Sequence, residues 1–306
     1  MKNRRDFIRT TTILTAGSLV IPQYACKSGK KPASGEVVLD TGITDILGLQ
    51  IYSLRDQLNE DLEGTLKKVA EIGYKNIEGY GYGERMILGK SPSEFLKIIT
   101  DLGMALPSMH VVTELTTEES RASILDQWKI TVEDMASIDV KYTVYAIIPE
   151  DERKTIDDYK KWSERFNQFG EICKEAGQQF AYHNHDFEFI SHDGQMGYDL
   201  ILQETDPELV KFELDMYWIT KGGQDPVAYL NKAPGRFELW HLKDMEDSEE
   251  KAFAEVGHGT IDFERIFAVR ETAGMKMCFV EQDLSKGDMF ESVKMSFDYL
   301  TQAELM

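Results

Sequence analysis

From about Ile46 to its end, the chain alternates short apolar runs typical of β-strands with amphipathic runs typical of α-helices. This alternation indicates β–α units around a parallel sheet and argues against separate all-α and all-β regions. About eight such units fit into this length, as a single TIM barrel requires. A doubly wound open sheet is the rival fold, but no GxGxxG sequence follows the first predicted strand. The sequence therefore predicts an α/β fold, a single (β/α)8 barrel over residues 46–306.

The apolar runs give approximate bounds for the elements. Strands are predicted at residues 46–52, 74–78, 105–110, 140–148, 180–189, 210–214, 237–242 and 277–281. The two longest predicted helices cover residues 118–138 and 156–176, and Gly177 ends the second of them. These bounds place several His, Asp and Glu residues at the C-terminal ends of strands five to eight.

The polar ends of these last four strands hold most of the candidate chemistry. Strand five runs into His183 and His185, which share one face of an extended segment because successive side chains alternate. The later strand ends supply Glu213, Asp215, His241, Lys243 and Glu281. Catalytic groups of a parallel barrel come from such ends of several different strands, so these side chains should lie together.

The first residues are typical of an export signal and not of the fold. Arg4 and Arg5 precede an apolar run at 10–22, which resembles a twin-arginine signal and is too short for a stable membrane-spanning helix. Cys26 could accept a lipid, and the stretch after it is rich in Lys, Ser, Gly and Pro. The sequence thus predicts a twin-arginine signal peptide at 1–26, a linker at 27–45, and a periplasmic or membrane-anchored lipoprotein. A basic disordered arm is the alternative.

The charge of the chain limits its partners. A formal net charge of −20 argues against nucleic acid, because phosphate binding needs clustered Lys and Arg. Cys26, Cys173 and Cys278 are too few and too scattered for a zinc pattern or a disulfide framework. We therefore expect no nucleic acid partner, and contact with a membrane only through a lipid anchor.

A glycine-rich turn at 257–260 has two interpretations. Gly-His-Gly-Thr stands before a predicted helix that starts at Ile261, and backbone N–H groups at such a position can hold phosphate. A tight turn leading into the helix is the more common structure for such a sequence, so this signal for phosphate is weak.

Several of these segments together resemble a known family. The matching stretches are 49–54, 77–78, 182–185, 214–218, 241–244 and 279–281, together with His110. From about Leu49 to Leu300 the chain resembles the xylose isomerase-like TIM barrel superfamily, and within it the sugar phosphate isomerase/epimerase group. The resemblance implies one divalent metal ion, held by a Glu, an Asp, a His and a Glu from strands five to eight. Asp215, His241 and Glu281 match the last three ligands.

The first ligand position departs from this family pattern, because His183 stands where the family has a glutamate. An imidazole in place of a carboxylate makes the site about one charge less negative, which disfavours Mg²⁺ relative to transition metals. The predicted metal ligands are His183, Asp215, His241 and Glu281. Mn²⁺ is favoured, with Co²⁺, Zn²⁺ or Mg²⁺ as alternatives.

The other candidate roles, which the strand-end positions suggest, fall into two groups. The predicted acid–base and charge-balancing residues are Glu281, Glu188, Glu213, Lys243 and His110. The predicted substrate contacts are Glu78, His185, Tyr217 and Trp218. For each residue alone a structural role, such as a helix cap or a packed wall, is at least as common. Four metal-ligating types at four successive strand ends make the combined prediction stronger than any single residue does.

The resemblance implies a metal-dependent isomerase or epimerase that acts on a small carbohydrate. The metal would polarise a carbonyl while a base removes the proton from the next carbon, which gives an enediolate. Because sugar phosphates are chiefly cytoplasmic, export predicts an unphosphorylated sugar or keto-sugar. A lyase or dehydratase that cleaves oxidised (3-keto) glycosides is the first alternative, and an exported sugar-binding protein without catalysis is the second. Assembly into an oligomer is left open.

Overall fold

A closed barrel of eight parallel strands forms the centre of the molecule. The computed structural model describes residues 42–113, 117–303 and 305, and in it each strand pairs with the strands before and after it in the chain. The strands are β1 (Leu47–Gln50), β2 (Asn76–Gly79), β3 (Ala105–Val111), β4 (Tyr142–Tyr145), β5 (Gln179–His183), β6 (Val210–Asp215), β7 (Leu239–Leu242) and β8 (Met277–Val280). Pairing of β1 with β8 closes the barrel. The predicted (β/α)8 fold is confirmed.

Helices surround the barrel and connect its strands. The α-helices are Ile43–Ile46, Arg55–Glu60, Leu62–Ile72, Pro92–Asp101, Glu118–Ala122, Ile124–Ser137, Ile156–Glu175, Gly197–Glu204, Met216–Lys221, Pro226–Lys232, Phe263–Phe267, Arg270–Ala273 and Met289–Gln302. Short 3₁₀ helices cover Ile51–Leu54, Glu150–Glu152 and Phe187–Phe189. Two-residue antiparallel hairpins pair Tyr82–Gly83 with Met86–Ile87, Ser191–His192 with Gln195–Met196, and Asp244–Met245 with Phe253–Ala254.

Several strands are shorter than predicted, among them those predicted at 46–52 and 140–148. The largest differences concern one helix and one strand, in which local hydrogen bonds end the element early. The helix predicted over 118–138 is divided at Ser123, where Gln127 Nε2 donates to Ser123 Oγ and to the Ser120 carbonyl. The strand predicted over 180–189 ends at His183. Beyond it, the His185 backbone N–H donates to the Glu188 carboxylate, which closes a turn in place of a strand.

The inside of the barrel is filled in layers. Val144, Ala181, Leu239 and Phe279 are fully buried and form one apolar cluster. The Phe279 ring passes Gly48, where an added Cβ would lie 2.5 Å from a ring carbon. Glycine on β1 therefore makes room for the aromatic ring, and this apolar layer closes the barrel beneath the polar strand ends.

The predicted export signal and most of the predicted linker lie outside the described residues. The last linker residues form the helix Ile43–Ile46, in which Ile43 is buried. Within residues 42–113, 117–303 and 305, no helix has the length and apolar character needed to cross a membrane.

Candidate metal centre

A pocket of about 560 Å³ opens at the C-terminal ends of the barrel strands. It combines buried polar groups with partly exposed aromatic and aliphatic side chains. Its lining consists of Tyr52, Arg55, Tyr80, Gly81, His110, Val111, Val112, Ala146, Ile147, His183, His185, Trp218, Lys243, Phe253, Glu281, Asp283 and Leu284. Pockets of this size and character are typical small-molecule sites.

Four side chains form a group that could hold a metal ion; two of them, His183 and Glu281, line the pocket, and the other two are fully buried beside them. His183, Asp215, His241 and Glu281 each offer one ligand atom, and these atoms all lie within 4.8 Å of one another. His183 Nε2 is 3.5 Å from Asp215 Oδ2. His241 Nδ1 is 3.8 Å from Asp215 Oδ2 and 3.0 Å from Glu281 Oε2. Ligand atoms at the usual distances from a tetrahedral metal lie about 3.3 to 3.6 Å apart, so this spacing fits one ion.

Two of these donor atoms have no hydrogen-bond partner, which is uncommon for buried polar atoms. They are Nε2 of His183 and Oδ2 of Asp215. His183 Nδ1 lies 3.2 Å from the Ala146 carbonyl oxygen, so a proton on Nδ1 leaves a lone pair on Nε2. Asp215 Oδ1 accepts the Trp218 backbone N–H at 2.7 Å and caps the helix Met216–Lys221. Both side chains are thus fixed through one atom, while the other atom faces the ligand group; Asp215 Oδ2 there makes only an ion pair, with Lys243 Nζ at 3.2 Å.

His241 is held from the side opposite the ligand group. Its Nε2 lies 2.6 Å from Glu78 Oε2, and Gln50 and Ser108 also donate to the Glu78 carboxylate. Burial acts to raise the pKa of Glu78, but His110 and His241 outweigh burial and lower this pKa to about 2. Metal-ligating histidines commonly donate their other ring N–H to a carboxylate. Glu78, which was predicted to contact substrate, is fully buried and instead orients His241.

The pKa values of the two candidate histidine ligands are shifted in opposite directions by their surroundings. Burial lowers the pKa of His241, but Glu213, Glu281 and Glu78 raise it well above its usual range. Burial together with His241 and His110 lowers the pKa of His183 well below its usual range. His183 is therefore ready to bind a metal, whereas binding through His241 Nδ1 must displace a proton.

Lys243 contacts the same carboxylates. Its Nζ lies 2.6 Å from Glu281 Oε2, 3.2 Å from Asp215 Oδ2 and 2.8 Å from Asp283 Oδ2. The side chain is only 1% exposed. Burial acts to raise the pKa of Glu281, but Lys243 and His241 outweigh burial and lower this pKa well below its usual range. A carboxylate held so strongly in its charged form is a good ligand for a metal ion.

His110 and Glu213 form a separate pair beside this group. His110 Nε2 lies 2.5 Å from Glu213 Oε2. Burial and the Glu78 charge raise the pKa of Glu213 to about 7. Burial acts to lower the pKa of His110, but the Glu78 and Glu213 carboxylates outweigh burial, so the pKa of His110 is raised. His110, His183, Glu213 and His241 also satisfy the spacing for a metal. However, the 2.5 Å between His110 Nε2 and Glu213 Oε2 is much shorter than the roughly 3.3 Å between two ligands of one metal ion, so proton sharing describes this group better.

The sequence from residue 66 to 288 matches the model of a family described as the xylose isomerase-like TIM barrel. The chain belongs to this family. The match covers the barrel from the first long helix to the loop after β8, and therefore includes every strand end that supplies the candidate metal centre.

Three known proteins that are similar to this chain have different names. A crystal structure of a sugar phosphate isomerase/epimerase from Parabacteroides distasonis is 33% identical, with a TM-score of 0.75, and the match covers 85% of this chain and 98% of that one. The inosose dehydratase of Geobacillus thermodenitrificans is 27% identical over 173 residues, 49% of this chain. That match spans 57% of the dehydratase's own length. The IOLI protein with a bound zinc atom shares the fold at 17% identity, with a TM-score of 0.65, and the match covers 84% of this chain and 98% of that one.

His185 and Trp218 line the pocket, as predicted for substrate contacts. The His185 ring lies 5.0 Å from the His183 ring and 5.4 Å from the Trp218 ring, centroid to centroid. Burial and His183 lower the pKa of His185 well below its usual range, and its Nδ1 has no hydrogen-bond partner. His185 is therefore a neutral imidazole beside the candidate metal centre, and its Nδ1 is free.

Two other predicted residues lie away from the pocket. Glu188 accepts hydrogen bonds from the Tyr182 hydroxyl and the His185 backbone, and Tyr182 points away from the barrel interior because it alternates with His183. Tyr217 is buried, donates to the Lys251 carbonyl and packs against Phe253. Neither residue belongs to the pocket lining, and both stabilise the loops around it.

The backbone N–H groups of the glycine-rich turn at 257–260 donate to a carboxylate of the same chain. Asp244 accepts backbone N–H groups from Gly257, Gly259 and Ile261 at 2.9 to 3.0 Å. These are the groups that a phosphate would have used. The interpretation as a tight turn therefore describes this segment, and its ligand is an aspartate of the same chain.

The pocket residues without a predicted role include Asp283, Phe253 and Leu284. Asp283 pairs with Lys243, and its spacing of two residues from Glu281 on the same strand end was the available signal. Phe253 and Leu284 complete the apolar part of the lining. Phe253 comes from a hairpin and Leu284 from a loop, where no sequence period indicates which side chains turn inward.

Proposed function

We propose that this protein is a divalent-metal-dependent carbohydrate enzyme that removes a proton from the carbon next to a carbonyl group. The observation that supports this most directly is the placement of the candidate metal centre and two histidines of opposite charge preference in one pocket. His183, Asp215, His241 and Glu281 would hold the metal. When bound, it would act as a Lewis acid on a carbonyl oxygen and favour formation of an enediolate.

The two pocket histidines suit acid and base roles. His185 is kept neutral by burial, whereas Glu78 and Glu213 favour a protonated His110. Titratable groups whose environments push their pKa values apart are natural acid–base partners. Both rings flank His183, at 5.0 Å for His185 and 4.9 Å for His110. We assign His185, an unprotonated imidazole in the pocket lining, as the base and His110 as the acid. Of the predicted glutamates, Glu281 would be a metal ligand, and Glu188 and Glu213 do not line the pocket.

Two outcomes are compatible with this pair. If His110 gives its proton to a leaving β-oxygen, the reaction is an elimination, which the name of the dehydratase relative supports. If the proton returns to carbon, the reaction is an isomerisation or epimerisation, which the name of the 33% identical relative supports. We place elimination first, because one acid and one base of fixed charge suit the loss of a protonated oxygen.

The substrate proposed is unphosphorylated. The only glycine-rich turn singled out in the sequence is occupied by Asp244. The Lys243 ammonium in the pocket is already paired with three carboxylates. The aromatic side chains Tyr52, Tyr80 and Trp218 in the lining can stack on a sugar ring.

Solvent deuterium exchange tests this proposal. The protein is stripped of metal, reloaded with Mn²⁺ and incubated in D₂O with unphosphorylated keto-sugars and oxidised glycosides, in parallel with their phosphate esters. We expect deuterium uptake or a dehydrated product that chelation abolishes, and a loss of about 10²- to 10⁴-fold in His185→Gln. Sugar binding without any exchange would instead identify a non-catalytic binding protein, and a clear preference for phosphate esters would overturn the substrate assignment.

A further inference from the structure

Lys243 and a divalent ion would contact the same atoms. The Lys243 Nζ lies within ion-pair distance of Asp215 Oδ2 and Glu281 Oε2. These two oxygens are also the ones closest to the candidate histidine ligands, His183 Nε2 and His241 Nδ1. A lysine ammonium carries a compact charge that attracts the same oxygens as a metal does.

Close approach of the two cations is unfavourable in such a buried place. Lys243 is 1% exposed, and Asp215 and Glu281 are 0% and 6% exposed. Like charges at short distance repel strongly where water is largely excluded. The ammonium can leave the two ligand carboxylates without losing all compensation, because Asp283 Oδ2 lies 2.8 Å from Nζ on the pocket side.

Asp283 suits the role of the alternative partner. It is 21% exposed and does not belong to the group of residues whose atoms could surround a metal. The Trp218 ring, 5.3 Å from Nζ, offers a further favourable contact for the ammonium as it moves toward the pocket.

We propose that Lys243 is a built-in competitor for the metal: its ammonium holds the ligand carboxylates before metal binds and transfers to Asp283 when metal enters. The lysine thereby weakens metal affinity and makes it depend on Asp283. This proposal rests on the proposed metal centre, although it does not depend on which carbohydrate reaction occurs there.

Mn²⁺ binding to the metal-stripped protein, measured by isothermal titration calorimetry, provides the test. We expect Lys243→Met to bind Mn²⁺ about tenfold more tightly or better, because the competing charge is removed. Asp283→Asn should bind it about tenfold more weakly, because the displaced ammonium loses its partner. Lys221→Met is the matched control with unchanged affinity: Lys221 lies 4.6 Å from the same Trp218 ring but has no ion pair with Asp215 or Glu281 in the described residues.

Removing Lys243 leaves buried carboxylates uncompensated and could prevent folding without metal. In that case the variant is purified with Mn²⁺, and its rate of metal loss to excess EDTA should be slower than in the unchanged protein. Unchanged or weaker affinity in Lys243→Met, with a faster loss of metal, would overturn the proposal and identify Lys243 as a partner of the metal-bound carboxylates. No Mn²⁺ binding in any variant, including Lys221→Met, would instead contradict the metal centre itself.

Discussion

Two layers inside the barrel have opposite chemistry although the same strands supply them. Val144, Ala181, Leu239 and Phe279 form the apolar layer. Two residues further along the same strands stand Ala146, His183, His241 and Glu281. A step of two residues keeps a side chain on the same face of a strand. The apolar layer therefore closes the barrel, and the polar layer above it faces the pocket.

The comparison shows where the molecule gains stability and where it loses it. The apolar layer packs without polar atoms that need partners. Two further strands extend the polar layer, with Glu78 from β2 and Glu213 and Asp215 from β6. These three residues and His241 are fully buried, and burial of charges is unfavourable unless each is paired. The two layers should therefore respond differently to substitution, one through stability and the other through metal binding and catalysis.

The largest expected effect comes from the polar layer. Asp215→Asn should lower turnover by about three orders of magnitude, since it removes a charged ligand of the Lewis acid. Folding should persist, because an asparagine can still accept the Trp218 N–H as a helix cap. Metal content and turnover are measured together. Asp225→Asn, which changes another N-cap aspartate outside the pocket, should leave both unchanged; normal metal content in Asp215→Asn would contradict the ligand assignment.

A substitution in the apolar layer should lower the stability of the protein and leave its metal affinity nearly unchanged. Leu239→Ala creates a cavity among fully buried neighbours, and we expect a loss of about 3 kcal/mol in the free energy of unfolding. Mn²⁺ affinity should change by less than about threefold if the layers act separately. Chemical denaturation and calorimetry give the two values. A tenfold loss of metal affinity would show that the apolar layer also positions His241.

Glu188 is a buried carboxyl group outside both layers, and it should make the stability of the protein depend on pH. Burial raises its pKa to about 7 from an ordinary value of 4.5, so the folded protein binds more protons than the unfolded chain between these values. Stability contributed by this group is therefore full below pH 4.5 and falls as pH rises toward 7. Since one pKa unit corresponds to about 1.4 kcal/mol, the shift from 4.5 to about 7 gives a total loss of about 3 to 4 kcal/mol once the pH has passed the folded-state pKa.

Glu188→Gln removes this titration. Relative to the unchanged protein, the variant should gain about 2 to 3 kcal/mol of stability between pH 4.5 and 7.5. Urea unfolding at several pH values measures the difference, and Glu60→Gln on the protein surface serves as the control. A difference that stays constant with pH would mean that Glu188 is already charged at pH 5.

Periodicity and order along the chain made much of the fold predictable. Alternating strand and helix patterns indicated eight units, because each amphipathic helix must cover one side of a parallel sheet. The same alternation indicated that His183, Asp215, His241 and Glu281 would meet, since parallel strands end on one face of the barrel. The structure brings these four within 4.8 Å. Their roles as metal ligands remain a prediction.

The roles of Glu78, Glu188 and Tyr217 were not predictable in this way. Glu78 ends a strand as the predicted ligands do, yet it faces Nε2 of His241 and cannot reach the pocket. Glu188 and Tyr217 follow their strands in a turn and a helix, where the period of two no longer applies. Depth within the barrel and the path of the connecting segments decide these positions, and neither leaves a periodic signal.

The sequence by itself determined the barrel, the strand ends and the residue types that gather there, because these follow from periods of two and 3.6 residues. The tertiary structure alone decided which nitrogen of each histidine is free, which carboxylates share a proton, and that Lys243 lies among the ligand carboxylates. Those properties depend on distances of a few ångströms between residues far apart in the chain, and on burial that strengthens every charge interaction.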